Sequence, residues 1–418
     1  MKVIIANYRY FIAGGPERYM FNFMREARKM GVECIPFSVD YAKNVATPYS
    51  KYFITARGGR DNYLYGGIKA TPKNIYRMLK GAIYNTEAER KLRKLIRDEK
   101  PDVVYILNQT NSLSPSIINA AKKEGVRVVH RISDFFMFCP KLDFLCGDEI
   151  CESCMCGNYK KALEKRCVKN SRVATWVRVF AMKVHTLIKI YKKVDAYITT
   201  CEFTKNKLIE GGIQADKVYC VPTFTEVDGV KPDYTNENYV LYLGRLSEQK
   251  GIIYAVEAMK YLKHYNVKLK ITGELDDSQY SKMLSELIRE NKLENSVEFL
   301  GFMKGEALET TIKNSMCIIN PAIWYENMPN TVIESYAYGK PVLASNIGSL
   351  AEIVEDGYTG LLFEPKSSED IAKKIEYLLN KPEIIAEYGR NARMVCEKKY
   401  SAKTHMNKVI GILGNGDE

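Results

Sequence analysis

The sequence predicts an α/β protein of two doubly wound domains, and three observations predict it. Short apolar runs typical of buried strands alternate with helical stretches along most of the chain. Glycine-bearing turns follow the first strand of each half, at Gly14-Gly15 and again from Gly244 to Gly251. The length, 418 residues, gives each half room for its own core. Repeated strand–helix units make a parallel sheet covered on both faces, and such sheets bind ligands beyond the carboxyl ends of their strands.

The totals narrow the class. With 46% apolar and 27% charged residues, the composition is that of a globular protein. No apolar run approaches the ~18–20 residues that span a bilayer. Met1 to Tyr10 carries too short an apolar run for a signal peptide and reads as a first strand, so the expected location is the cytoplasm. The net charge is +12, unevenly spread: between Asn158 and Lys193 there are eleven Lys or Arg against one acid, Glu164. A solvated helix face, nucleic acid or an anionic membrane surface each accounts for such a run. Eleven cysteines in a reducing compartment argue against a disulfide framework, and six of them crowd between Cys139 and Cys167.

In chain order, Val3-Ile4-Ile5-Ala6 is a buried strand. After Gly14-Gly15, Pro16 opens a helix that Gly31 ends. Tyr41 to Asn85 has little periodicity and reads as long loops and a helix on the acceptor side. A charged helix runs to Glu99 and Pro101 breaks it. Strand Asp102–Leu107, a helix from Ser114-Pro115 to Gly125 and a strand from Val126 follow. Asp134 lies at the carboxyl end of that strand, with Ser133 before it and His130 three residues before Ser133.

The cysteine segment comes next. Cys151-Glu152-Ser153-Cys154 is a C-x-x-C turn, which brings two thiolates to one tetrahedral ion; Cys139 and Cys167 complete four ligands, with Cys146 or Cys156 as substitutes. A structural zinc ion is expected, an iron–sulfur cluster being the lesser alternative and free thiols the other. Asn170 to Lys193 reads as a basic helix whose residues Val173, Trp176, Val177, Phe180, Val184, Leu187 and Ile188 keep helical spacing. Such a stripe faces the core or lies in a membrane interface, the core reading being slightly favoured for the stripe and anionic lipid for the cations. Strand Val194–Thr200, a helix from Cys201 and strand Lys217–Pro222 close the half. The expected boundaries are a first domain at 1–222 with its insertion at 139–167, a linker at 223–238, a second domain at 239–400 and a last helix from 401 that crosses back.

In the second half, Tyr239–Leu243 is a strand. Arg245 and Lys250 then sit five residues apart beside Gly244 and Gly251, an arrangement that lets backbone and cations close on a diphosphate. Strands Val267–Gly273 and Val297–Gly301 follow. After Cys317–Pro321 comes the stretch 324–341. Pro329-Asn330 reads as a helix start with Asn330 as N-cap, and Gly339 and Pro341 end the helix. Free amides at Thr331, Val332 and Ile333 favour an anion. Glu326 before the helix and Glu334 in its first turn suit a polyhydroxylated ligand carrying phosphate between them.

The stretch 324–341 resembles the signature of retaining glycosyltransferases of family 4, in which two glutamates stand eight residues apart, as Glu326 and Glu334 do. Residues 341–354, Gly357 and 360–363 are similar too, as are Gly14-Gly15-Pro16-Glu17-Arg18 and the Arg245/Lys250 pair. The resemblance implies a GT-B fold, two Rossmann-like domains facing a cleft. It also implies transfer of a sugar, with retained configuration, from a nucleotide-sugar donor to a glycan or lipid-linked acceptor, as in cell-surface polysaccharide synthesis. Arg245 and Lys250 are implied to bind the leaving diphosphate without a catalytic metal, Glu326 the donor sugar and Glu334 the ribose. Asp134 is carried over as an acceptor-side catalytic candidate. Gly14, Gly15, Gly244, Gly301, Asn327, Met328, Asn330, Thr331 and Val332 are carried over as donor contacts. Where Ser133 stands the family usually has a histidine that contacts the transferred sugar. Two other classes fit parts of the sequence: a nucleotide-sugar-binding protein without turnover, and a metal-stapled scaffold or nucleic-acid-binding protein. Nucleic acid is not the expected partner; a peripheral contact with the inner membrane face through 171–193 is.

Overall fold

The computed structural model describes residues 1–56, 58–61, 81–109 and 112–414. Much of the 41–85 region therefore lies outside the described residues.

Two six-stranded parallel sheets form the frame. In the first, the strands lie in the spatial order 218–220, 196–199, 127–131, 103–108, 2–7, 33–37. In the second the order is 297–301, 268–272, 239–243, 317–320, 342–345, 360–363. Every pairing within these sheets is parallel. The strands are nearly all apolar because helices cover both faces: Val3 to Ala6 and Val103 to Ile106 are fully buried. The fold is thus the expected two-domain GT-B arrangement.

Each sheet changes winding direction once. In the first this happens between strands Lys2–Asn7 and Val103–Asn108, and in the second between Tyr239–Leu243 and Cys317–Asn320. At such a point the helices on either side of the sheet diverge and leave a crevice beyond the strand ends. The loops that enter these two crevices are 8–14 in the first half, and 244–251 and 321–329 in the second. They carry most of the residues singled out in the sequence.

The last helix, Ala402–Leu413, returns to the first half. Met406, Val409 and Leu413 join the core built by Val3, Ile5, Tyr19 and Tyr105. His405 Nδ1–H donates to the Pro222 carbonyl at 2.6 Å, and its Nε2 accepts from Tyr19 Oη at 3.0 Å. Burial drives its pKa down to about 3, so it stays neutral.

The cysteine segment forms a small hairpin, Leu145–Cys146 with Glu149–Ile150, and a short helix, Lys160–Glu164. Cys154, Tyr159 and Ala162 pack on Val179 and Met182 of helix Arg172–Leu187. That helix buries Thr175, Val179, Ala181, Met182 and His185, whereas Val173, Trp176, Phe180, Leu187 and Ile188 are exposed. The expected apolar stripe exists, but most of it faces solvent. Periodicity defines a stripe without saying which way it points.

Candidate functional site

The second-half crevice is closed around Lys250 and Glu326. Gly251 makes this possible. It has φ +64°, and a Cβ there would stand 2.0 Å from the Pro321 carbonyl oxygen, so only glycine lets the two loops touch. Ile323 N–H donates to the Gln249 carbonyl at 3.0 Å, which locks them together. Lys250 Nζ then donates to Glu326 Oε1 at 2.5 Å, and Trp324 Nε1 donates to the same oxygen at 2.9 Å. Glu326 is 6% exposed, and Ser349 Oγ holds its carbonyl at 2.6 Å. Burying a carboxylate is costly unless it is hydrogen-bonded, and these two donors meet that need. Arg245 is exposed at the mouth of the same crevice, its carbonyl held by Tyr242 Oη at 2.8 Å.

The helix after this loop spans Asn330–Ala337. Its N-cap is Pro329, not Asn330 as the sequence reading had it; extended backbone at the proline (ψ 118°) starts the helix one residue earlier. Proline offers no side-chain acceptor, so no side chain caps the first turn. Val332 N–H bends back to the Pro329 carbonyl at 3.1 Å. At the other end Lys340 N–H reaches the Ser335 carbonyl and Gly339 N–H the Tyr336 carbonyl, a Schellman turn that requires the φ of +74° at Gly339.

The first half faces this helix with its glycine turn. A Cβ on Gly15 would lie 3.5 Å from Asn330 Nδ2, so the two helix starts nearly touch across the cleft. Arg18 Nη1 reaches Glu334 Oε1 at 3.4 Å. Burial raises the Glu334 carboxyl above its ordinary value, and the Arg18 charge opposes this. Arg18, Asn330 and Glu334 line a cavity of about 530 Å³ together with Thr223, Gly305 and Tyr338. The sequence reading assigned no role to Arg18; an arginine on the exposed side of a helix start gives no signal without the facing domain.

Asn327 and Met328 lie between the halves. Asn327 Oδ1 accepts from Thr200 Oγ1 at 2.6 Å and Thr204 Oγ1 at 3.0 Å, and its Nδ2 donates to the Ile132 carbonyl at 3.3 Å. Met328 Sδ accepts from Thr223 N–H at 3.1 Å. Their polar atoms are thus taken up in joining the domains.

Asp134 sits at the carboxyl end of strand Arg127–Arg131 and accepts from Phe136 N–H at 2.9 Å. Burial pushes its carboxyl up to about 6, against the pull of Phe136 N–H and the Arg178 charge. His130 is 1% exposed, packed against Phe136 and Tyr197, and burial lowers its pKa to about 3. It does not stand in for the missing histidine; Ser133 keeps that place.

Cys139, Cys146, Cys151, Cys154 and Cys167 line one small cavity of about 10 Å³; Cys156 is exposed and is not among them. Burial, reinforced by the neighbouring thiols, pushes Cys154 up to about 12 and Cys167 up to about 11. Among the described residues no set of three or more His, Cys, Asp or Glu side chains is disposed to hold a metal ion. The four expected ligands converge, but not in coordination geometry.

Two crevices at facing winding reversals, one lined by paired charges and an uncapped helix start, define a two-domain enzyme-like cleft. The family model for Glycosyltransferase Family 4 matches residues 13–228, just over half of the chain, and that for Glycosyl transferases group 1 matches residues 224–395. The chain belongs to glycosyltransferase family 4. It is similar to an uncharacterized glycosyltransferase of Methanocaldococcus jannaschii, 33% identical over 41% of this chain and 43% of that one. It is also similar to the α-D-kanosaminyltransferase of Streptomyces kanamyceticus, 28% identical over 41% of this chain and 44% of that one. The capsular polysaccharide biosynthesis glycosyltransferase CapM of Staphylococcus aureus is 30% identical over 40% of this chain and 44% of that one. The chain thus spans less than half the length of these relatives. Among solved structures, Anabaena HepE with bound UDP and glucose superposes with a TM-score of 0.67 at 17% identity, covering 99% of both chains. TarM superposes with a TM-score of 0.69 at 15% identity, covering 99% of this chain and 98% of that one. At these identities the structures speak for the fold. No helix among the described residues is long and apolar enough to cross a membrane.

Proposed function

We propose that the protein transfers a sugar from a nucleoside-diphosphate sugar to a glycan or lipid-linked glycan, with retained configuration, in the assembly of a surface polysaccharide. The observation that carries this reading is the Lys250–Glu326–Trp324 contact beside the uncapped start of helix Asn330–Ala337. A cation, a carboxylate and a helix start without a side-chain cap, at one sheet's winding reversal, suit a ligand that joins a diphosphate to hydroxyls.

In this reading Arg245, Lys250 and the amides after Pro329 bind the diphosphate and stabilise the charge it gains on leaving. Lys250 turns from Glu326 to the phosphates when donor enters. The Glu326 carboxylate is then free to accept from the sugar's hydroxyls. Glu334 accepts from the ribose, with Arg18 orienting it. Gly14, Gly15, Gly244 and Gly301 keep the backbone near the donor, and Asn330, Thr331 and Val332 supply the helix start. Asn327 and Met328 act indirectly, by fixing the 324–329 loop against the first half. The sugar's bond to the phosphate oxygen breaks as the acceptor hydroxyl bonds to the same carbon on the same face. The hydroxyl proton passes to the leaving phosphate oxygen, so charge separation is offset without a metal. Asp134, on the acceptor side, holds an acceptor hydroxyl.

The test is donor turnover: incubation with a panel of nucleotide sugars, followed by NMR of the anomeric product. An α-linked product from an α-linked donor, lost in Glu326→Ala, is expected. Inverted stereochemistry, or turnover unchanged in that variant, contradicts the reading. Separately, five thiols line one cavity, and we propose that Cys139, Cys151, Cys154 and Cys167 hold a structural zinc ion once they rearrange from the geometry described above. Elemental analysis after growth with added zinc checks this; a folded, active, zinc-free protein contradicts it.

A further inference from the structure

Helix Arg172–Leu187 carries an exposed apolar face that the cleft does not explain. Trp176 is 52% exposed and Leu187 81% exposed. Val173, Phe180 and Ile188 are exposed along the same side. The Trp176 and Phe180 rings stack with centroids 5.2 Å apart and planes 6° apart. Cations surround this face: Arg166, Lys169, Arg172, Lys183, Lys189 and Lys192 are all exposed. Among the described residues none of these six forms an ion pair with an Asp or Glu. Burying unpaired cations against protein is unfavourable, and a second copy of this face would oppose charge with like charge. Nucleic acid would answer the charge and the rings, but would leave Val173, Leu187 and Ile188 in water.

We propose that this helix docks in the interface of an anionic bilayer, its aromatic and aliphatic side chains in the acyl boundary and its cations among the headgroups. The opposite side of the same helix carries the reason for docking there. Arg178 Nη2 donates to the Phe136 carbonyl at 2.7 Å, next to Asp134. The bilayer therefore lies one helix diameter from the acceptor-side loop, which selects an acceptor carried on a lipid. This choice of acceptor rests on the glycosyltransferase reading; the docking does not.

The test is flotation of the full chain with vesicles of phosphatidylcholine alone or with about a quarter phosphatidylglycerol. Binding is expected to the anionic vesicles only and to fall as salt rises. The double variant Trp176→Ser/Phe180→Ser is expected to bind about tenfold or more weakly. Lys183→Glu/Lys189→Glu is expected to lose the preference for anionic lipid. A nucleoside-diphosphate thermal shift on each variant, expected to match wild type, shows that the fold and donor site are intact. Absence of vesicle binding by wild type, binding unchanged in the aromatic double variant, or a dimer or RNA complex that this variant abolishes in place of vesicle binding, would overturn the proposal. Loss of the nucleotide shift in wild type with vesicle binding kept would instead overturn the donor site alone.

Discussion

Gly251→Ala tests how the cleft is built. Two costs add. The left-handed backbone, φ +64°, disfavours any Cβ by about 1–2 kcal/mol. The Cβ would also lie 2.0 Å from the Pro321 carbonyl oxygen, far inside van der Waals contact, and the two nearest atoms, both of Pro321, are backbone. Relief requires loop 244–251 to move by about an ångström from 321–329, an overpacking cost of about 1–3 kcal/mol. That movement breaks the Ile323–Gln249 hydrogen bond of 3.0 Å, worth about 1 kcal/mol. The sum is about 3–6 kcal/mol. Gly31→Ala is the control: φ is +71° but nothing lies within 4 Å, so only the backbone cost of about 1–2 kcal/mol applies. Urea unfolding of both variants gives the difference directly. Because Lys250 moves with the loop, nucleotide binding should weaken in Gly251→Ala and not in Gly31→Ala. Equal stability of the two variants, or full nucleotide binding by Gly251→Ala, would refute the claim that loop contact at Gly251 sets the Lys250–Glu326 geometry.

Other outcomes follow from single contacts. Lys250→Ala leaves a nearly buried Glu326 with Trp324 as its side-chain partner; a double-mutant cycle with Glu326→Gln, read by urea unfolding, should give a coupling of about 1–3 kcal/mol. Asn327→Ala removes three hydrogen bonds between the halves and should destabilise by about 2–3 kcal/mol in the same assay. Asp134 has its folded pKa raised from 3.8 to about 6, so the folded chain favours the neutral carboxyl below about pH 6. Its stabilising effect is complete below pH 3.8 and is lost as pH rises towards about 6. Asp134→Asn should therefore gain stability over wild type across that window and keep the gain above it, by about 1–2 kcal/mol after solvent screening. Urea titrations at acid and neutral pH check the sign.

Most of the fold was legible because the signals were local. Buried strands such as Val3–Ala6 and Tyr239–Leu243 need only a continuous apolar run between turns, and the glycine turns mark where helices begin. Glu326 was singled out from the loop before a helix start, but its contacts with Trp324 and Lys250 were not legible. The candidate site was also illegible where partners come from different halves. Arg18 reaches Glu334 over 316 residues of sequence, and Asn327 spends its amide on Thr200, Thr204 and Ile132. Neither contact leaves a periodicity or spacing. Helix Arg172–Leu187 shows the same limit differently: its stripe was readable, but whether Trp176 and Phe180 face the core depends on what packs behind them. There, small and polar residues, Thr175, Ala181 and His185, share the inner face with Val179 and Met182. The Asn330 cap was misplaced by one residue: Asn330 already takes helical backbone, and the extended Pro329 before it is the N-cap.

The most direct measurement of the central claim is a thermal-unfolding panel of nucleoside diphosphates on wild type, Arg245→Ala and Glu334→Ala. A ligand that binds only the folded chain raises its melting temperature. The account predicts a shift with one nucleotide in wild type, reduced in both variants. A folded wild type that no nucleoside diphosphate stabilises, or a shift that both variants keep in full, would contradict it.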